Sequence, residues 1–352
     1  MDRLMTVVLG ASGLVAQRLQ QRLHNHPWFE LSAIAGKSTR KGTSIESIPW
    51  KLDEPRPELP ILLIEDVHDC EVPAKLYEEG IRIAFSALPS EHALKIEPMW
   101  AKAGITVFSN ASSYRLTEGV PLVIPEINPT MLNEMGQAGF PIACATNCTL
   151  LPIIMPLAPM HREYILKSMS VRSEQALSGG GYRLLEQYQD NEGHIDAEVP
   201  GEAQKTEDEF RRILNWDGDA NIVCTRIARK DGHHVFVTAK FERKISEKGV
   251  HECLEQWNKQ HSEHRQPSAP HNPLMVVPKL DVAQHLFTDG KSFENTPDPA
   301  SDLKAGMGIV VAAIECLDDQ TVRFEGYSHN TLRGAAGGVV YLAELAYTMD
   351  KL

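Results

Sequence analysis

The feature that most constrains this 352-residue chain is its opening. Thr6 to Leu9 is a β-branched apolar run, and Gly10-Ala11-Ser12-Gly13 interrupts it at once. From Leu14 to Leu23 the apolar residues Leu14, Val15, Leu19 and Leu23 recur at helical spacing. Gly10-x-x-Gly13-x-x-Ala16 therefore sits between a strand and a helix, the setting a phosphate-binding turn requires. Glycines let a ligand approach the backbone, and amides at the helix start face an anion with the helix dipole behind them. A tight strand-to-helix turn with no ligand would read the same way.

The alternation continues. Strand-like runs recur at Leu31 to Ile34, Ile61 to Ile64, Ile81 to Ser86, Ile105 to Phe108 and Pro141 to Ala143, with helical segments such as Glu91 to Ala103 between them. This predicts a Rossmann-type, doubly wound parallel sheet over residues 1–147. From about Tyr164 the runs lengthen and alternate: Leu166 to Ser173, Ile222 to Ile227, Val235 to Arg243, Gly308 to Ile314 and Val322 to Gly326. With the helices Glu202 to Leu214 and Val250 to Gln260, they predict an α+β domain built on a mostly antiparallel sheet over residues 148–329. Pro267 to Leu303 is rich in Pro, Asp, Asn and His and reads as a long excursion, of the kind that serves function or an oligomer contact. A strong helix, Leu332 to Met349, closes the chain.

Composition narrows the partners. A net charge of −12 disfavours nucleic acid and anionic membranes, so any phosphorylated ligand needs locally concentrated positive charge. The opening apolar run is too short for a secretory signal, and no stretch approaches the roughly 20 apolar residues of a membrane span. The six cysteines form no CxxC pairs, which fits a reduced, cytoplasmic setting. No matching Cys or His pair supports a metal at Cys144 and Cys148.

Two stretches carry chemistry. The second strand ends in Ala35-Gly36-Lys37-Ser38-Thr39-Arg40-Lys41, where an NAD enzyme usually has an acid for the ribose 2′-hydroxyl. Three cations and no acid suit a 2′-phosphate, hence NADP(H), although a solvated basic loop has the same composition. Cys148, in Thr146-Asn147-Cys148-Thr149, follows an apolar strand and heads an apolar helix, where a helix N-terminus would lower its pKa. A thiolate beside NADP could add to an aldehyde and leave a thioester after hydride loss; a lone buried cysteine is the alternative.

The sequence resembles the aspartate-semialdehyde dehydrogenase family, in its archaeal and fungal branch, nearly end to end. The carrying motifs are Gly10-Ala11-Ser12-Gly13-Leu14-Val15, Phe85-Ser86-Ala87-Leu88-Pro89, Ser109-Asn110-Ala111-Ser112-Ser113-Tyr114-Arg115, Thr146-Asn147-Cys148, Ser178-Gly179-Gly180 after Gln175, and Asn330-Thr331-Leu332-Arg333-Gly334. The resemblance implies roles. Cys148 would be the nucleophile, Gln175 an active-site glutamine, and His233, seven residues after Arg226, the general acid/base, with His234 an adjacent competitor. Arg226 would clamp a substrate carboxylate, Glu202 would meet its ammonium, and Lys205, Arg115 and Asn110 would hold phosphate. Gly10, Ser12, Gly13, Leu14, Val15, Lys37, Ser38, Arg40, Ser86, Leu88, Ser178, Gly179, Gly180 and Asn330 would line the cofactor, with residues 330–352 completing the first domain. Taken singly, Glu202 and Lys205 could be a helix ion pair, Arg226 a surface residue and His233 a turn cap.

The implied reaction is reversible, NADPH-dependent reductive dephosphorylation of L-aspartyl-4-phosphate to L-aspartate 4-semialdehyde, by a homodimer or dimer of dimers. Two stretches depart from the family. Arg226-Ile227-Ala228-Arg229-Lys230-Asp231 replaces an R-V-P-V run and is similar to the corresponding stretch of malonyl-CoA reductases; Val277 to Met307 lacks an Arg-Pro-Gln-Pro-Arg segment. Another acyl-CoA or acyl-phosphate reductase, and a non-catalytic NADP-binding homologue, are the rival expectations.

Overall fold

The computed structural model describes residues 3–263, 265–294 and 296–352. Its first half comprises β1 (Leu4–Leu9), α1 (Leu14–Leu23), β2 (Phe29–Gly36), β3 (Ile64–Asp66), α2 (Glu71–Glu78), β4 (Ile83–Ser86), α3 (Ser90–Lys102), β5 (Thr106–Ser109) and β6 (Ile142–Cys144). The strands form one sheet in the order β3-β2-β1-β4-β5-β6, every pair parallel. The order reverses between β1 and β4, and the Gly10 turn leaves β1 at that switch point, where open α/β sheets bind their ligands.

Because both faces are covered, the strands carry apolar residues on both sides. Val8, Ile34, Phe85 and Phe108 pack on one face against Leu19 and Leu23 of α1 and Val339, Val340 and Ala343 of α8 (Gly337–Thr348). Val7, Leu9, Ala84 and Val107 meet Ile96 and Trp100 on the other. Burying one such large side chain stabilises by roughly 1.5–3 kcal/mol. The chain's last helix is thus part of its first sheet. A buried polar lock secures it: Glu344 of α8 accepts from Ser268 Oγ (2.6 Å) and Ser268 N (2.9 Å) and meets His26 Nε2 at 2.8 Å.

The second half contains α4 (Leu151–Tyr164), β7 (Leu166–Gln175), α5 (Gly181–Asp190), α6 (Glu202–Leu214), β8 (Asp219–Arg226), β9 (His233–Phe241), α7 (Glu247–His261), β10 (Leu274–Val277), β11 (Ile309–Cys316) and β12 (Thr321–Ser328), ahead of α8. Its strands run β10-β11-β12-β9-β7-β8. The β10–β11 and β7–β8 pairs are parallel and the other three antiparallel, so the sheet is mixed with an antiparallel centre. Along β7, Met169, Val171, Ser173 and Gln175 are buried while Ser170 and Arg172 are exposed, so one face is covered and the other open.

Several expectations shift. The strand expected at Ile61 to Ile64 instead spans Ile64–Asp66, and Ile61 and Leu63 are 80% and 61% exposed. Pro57 and Pro60 keep the approach extended without ladder donors, and pairing to β2 starts at Ile64. The Pro267 to Leu303 excursion contains β10, and the closing helix opens with a π-turn at Leu332–Ala336 before α8. Neither α2 nor α5 was expected. Among the described residues no helix is long and apolar enough to cross a membrane, and no group of three or more His, Cys, Asp or Glu could hold a metal.

Candidate active site

Cys148 stands on a turn between β6 and α4. Asn147 shapes that turn: its Oδ1 accepts the Thr149 N–H at 2.7 Å and its carbonyl accepts the Leu150 N–H. The helix begins only at Leu151, three residues later. Gly334, in the π-turn, lies directly over the nucleophile; a Cβ there would fall 2.5 Å from Cys148 Cβ and 3.0 Å from its Cα. Only glycine fits, and π-turns are frequent at functional sites.

His233 Nε2 lies 3.3 Å from Cys148 Sγ. Its Nδ1 accepts the Ala176 main-chain N–H at 3.1 Å. A main-chain amide can only donate, so the neutral ring carries its hydrogen on Nε2, facing the sulfur. An imidazolium would set two donors against each other. Burial, then Arg226 and Arg229, push His233 down to about 3. The expectation of a lowered thiol pKa at the helix start is corrected. Burial, then the Glu202 charge, push Cys148 up to about 12, against a smaller opposite pull from Arg115 and Arg226. Poor solvation of the anion outweighs a helix terminus three residues away.

His234 faces the other way, as alternation along a strand requires. On the open face of the second sheet it meets Glu325 at 2.9 Å and Glu174 at 3.7 Å.

Arg226 and Gln175 are register partners at the ends of β8 and β7, and the Arg226 charge acts on Cys148. Gln175 is buried; Arg226 is half-buried, and its Nη1 donates to Ala176 O at 2.8 Å. Gly179 faces both Arg226 and His233: its Cβ would sit 2.9 Å from Arg226 Nη1 and 3.2 Å from His233 Cε1. Glu202 opens α6, where Oε1 accepts from Thr149 Oγ1 at 3.2 Å. Lys205 is exposed and outside this cluster. Arg115 is buried, with Nη2 donating to the Asn110 carbonyl (2.6 Å) and Nη1 to Glu209 (2.9 Å). The Asn110 side chain donates to Ser86 O at 3.2 Å.

On the dinucleotide side, Gly10 has φ +108°, and its Cβ would approach Ala87 O at 3.1 Å. Gly13 precedes α1 with open space around it and no side-chain cap, leaving the first amides, near Ser12, Leu14 and Val15, for an anion. Ser38 bonds Asp66 (2.9 Å) and Lys41 pairs with Asp69 (3.1 Å), whereas Lys37 and Arg40 have no ion-pair partner among the described residues. Ser86 is buried and Leu88 half-buried. Asn330 is a brace: Nδ2 donates to Ser178 Oγ (2.8 Å) and Oδ1 accepts the Gly232 N–H (2.8 Å), fixing the Ser178-Gly179-Gly180 turn against the loop before His233.

Glu209, Thr206 and Gly334 entered no sequence-based site list. Glu209 lies seven residues, two helical turns, after Glu202, so the helical face was a usable signal. Gly334 stood inside a quoted motif, but nothing local indicated what it touches.

The geometry defines a class: a dinucleotide-type sheet whose switch point opens onto a cysteine–histidine pair. Residues 6–135 match the family described as "Semialdehyde dehydrogenase, NAD binding domain". The chain is 33% identical to the aspartate-semialdehyde dehydrogenase of Archaeoglobus fulgidus over 96% of each chain, and 30% identical to that of Aspergillus fumigatus over 96% of each. It is also 30% identical to the malonyl CoA reductase (NADP) of Metallosphaera sedula, over 97% of this chain and 96% of that one. Its fold matches the aspartate semialdehyde dehydrogenase with NADP from Candida albicans at a TM-score of 0.78, over the whole of both chains at 24% identity. The chain belongs to the aspartate-semialdehyde dehydrogenase family.

Proposed function

We propose that this protein interconverts L-aspartyl-4-phosphate and L-aspartate 4-semialdehyde with NADP(H), through a thioester on Cys148. The observation that carries the reading is the Cys148–His233 contact with the charges of Glu202, Arg226 and Arg115 around it. An amino acid semialdehyde presents an ammonium and a carboxylate, and Glu202 and Arg226 are their complements. The names of the relatives from Archaeoglobus and Aspergillus agree with it.

The dinucleotide site fits NADP. Gly13 is open, β2 ends without an acid, and Lys37 and Arg40 have no ion-pair partner among the described residues. Bound there, the nicotinamide would supply or remove hydride. In the reductive direction the Cys148 sulfur attacks the acyl carbon and its thiol proton passes to the phosphate oxygen as the C–O bond to phosphate breaks, leaving a thioester. Arg115 would take the departing phosphate; Lys205, exposed and outside the cluster, would reach it only by turning its side chain inward. After reduction the former carbonyl oxygen is an oxyanion, and His233 Nε2–H donates to it. The C–S bond then breaks, releasing aldehyde and regenerating thiolate, which the same Nε2–H stabilises. The tautomer set by Ala176 favours this donor role over that of a base.

Residues 1–147 with 330–352 would form the cofactor domain and 148–329 the catalytic and dimerisation domain. The open face of the second sheet suits a homodimer or a dimer of dimers, in the cytoplasm.

The test is NADPH formation from L-aspartate semialdehyde plus phosphate, beside Cys148→Ser. Phosphate-dependent turnover that falls by roughly 10⁴-fold or more in the variant is expected. A folded, NADP-binding protein without turnover would sink the aspartyl assignment. Turnover with malonyl-CoA would favour the second reading, which Arg226-Ile227-Ala228 and the Metallosphaera relative support and which gives Glu202 no ammonium to meet. Unaltered cellular behaviour of Cys148→Ala would favour a non-catalytic NADP-binding role.

A further inference from the structure

We infer that Glu209 is a positioning residue that couples the phosphate-side arginine to the turn carrying the nucleophile. Its carboxylate is 2% exposed. Oε1 accepts from Arg115 Nη1 at 2.9 Å; Oε2 accepts from Thr146 Oγ1 and from the Asn147 main-chain N–H, both at 2.8 Å. One buried charge thus fixes a guanidinium and the two residues immediately before Cys148.

The rest of the helix face extends the same contact. Asn147 Nδ2 donates to Thr206 Oγ1 at 3.1 Å, and Thr206 Oγ1 donates to the Glu202 carbonyl at 2.8 Å. Glu202, Thr206 and Glu209 occupy positions i, i+4 and i+7, so a single stripe of α6 holds the turn. Arg115 is left oriented but not saturated. Its Nη2 goes to the Asn110 carbonyl, while Nε is buried without a partner among the described residues. A buried N–H with no acceptor is what an incoming oxyanion would satisfy.

Glu209 also bears on the charge felt at the sulfur through its ion pair with Arg115. The groups facing Cys148 are His233 from β9, Glu202 from α6, Arg226 from β8, and Arg115 from the loop after β5. Arg115 favours the thiolate, and Glu209 compensates part of that charge. Glutamine at 209 can accept from Arg115 or from the Asn147 N–H, but its NH₂ opposes whichever donor remains. It would leave Arg115 uncompensated beside Cys148 and the turn half-held.

The kinetic arm of the test rests on the phosphorylating reading above; the labelling arm does not. Iodoacetamide alkylation of Cys148 is followed against pH by peptide mass spectrometry in wild type, Glu209→Gln and Glu209→Asp. Fully buried Cys144 serves as the control for a loosened fold. The expected result for Glu209→Gln is a Cys148 profile moved about one pH unit lower, Cys144 still unlabelled, and phosphate-dependent kcat down roughly 10- to 100-fold. Glu209→Asp, which keeps the charge, returns the profile towards wild type. An unmoved Cys148 profile in folded Glu209→Gln, or Cys144 labelled in step with Cys148, overturns the inference. If the wild type itself shows no phosphate-dependent turnover, the proposed reaction fails and the labelling arm alone judges Glu209.

Discussion

Around Gly10 to Gly13 the candidate groups are main-chain amides and exposed or half-buried cations, whereas around Cys148 they are side chains withdrawn from water and held by one another. The dinucleotide side needs little more than a turn: Gly10 at φ +108°, an uncapped helix start, an exposed Lys37 and a half-buried Arg40. The thiol side needs partners from the loop after β5, from β8, β9 and α6, and from the Gly334 turn, each buried or half-buried. A solvent-facing anion site tolerates loose placement, because exposed charges act through screened fields. A buried nucleophile does not, because each neighbour changes its ionisation directly.

Gly334→Ala separates the two sides most sharply. A methyl 2.5 Å from Cys148 Cβ must displace the nucleophile, and the three nearest atoms it would meet all belong to Cys148, none to the Gly10 turn. Turnover is expected to fall by roughly 10²-fold or more, with NADP affinity by fluorescence titration within about twofold of wild type. Equal losses in both would show that the two sides are one mechanical unit.

The converse variant, Lys37→Ala combined with Arg40→Ala, attacks the exposed side. We expect NADPH affinity to fall about 10-fold, with the loss shrinking at high salt. Preference over NADH should narrow, and the Cys148 alkylation profile should stay unchanged. A large shift in that profile would contradict the division.

Legibility in the sequence follows the same line. The Gly10 turn and the bounds of α1 were readable because a strand, a turn and a helix are local. The second sheet was readable from alternation, as in Met169, Val171 and Ser173. By contrast, α5 follows a run of glycines and buries no residue, so the core does not depend on it. β10 is a four-residue parallel strand inside a Pro- and Asp-rich stretch. Glu209 was missed because its partners lie 62 to 94 residues away in sequence. The thiol's pKa direction was misjudged because a helix start is visible in sequence and burial is not.

A smaller effect probes the strip between the two sides. Glu97 on α3 is buried, accepts from Ser109 Oγ at 2.6 Å, and burial pushes it up to about 7. Its folded pKa exceeds the ordinary value of 4.5, so folding is opposed progressively as pH rises from about 4.5 to about 7, and constantly above that. Glu97→Gln removes that penalty. Its melting temperature relative to wild type should climb between pH 5 and pH 8, by an amount on the order of 1–3 kcal/mol in stability. A pH-independent difference would mean Glu97 is ionised in the folded protein.

Acyl transfer in the proposed reaction passes through Cys148. Its most direct test is to mix the enzyme with L-aspartate semialdehyde and NADP in the absence of phosphate, quench in acid, and map the adduct by peptide mass spectrometry. The account predicts an aspartyl thioester on Cys148 alone, formed with stoichiometric NADPH and discharged when phosphate is added. An adduct on another residue, or phosphate-dependent turnover with Cys148 never modified, would contradict it.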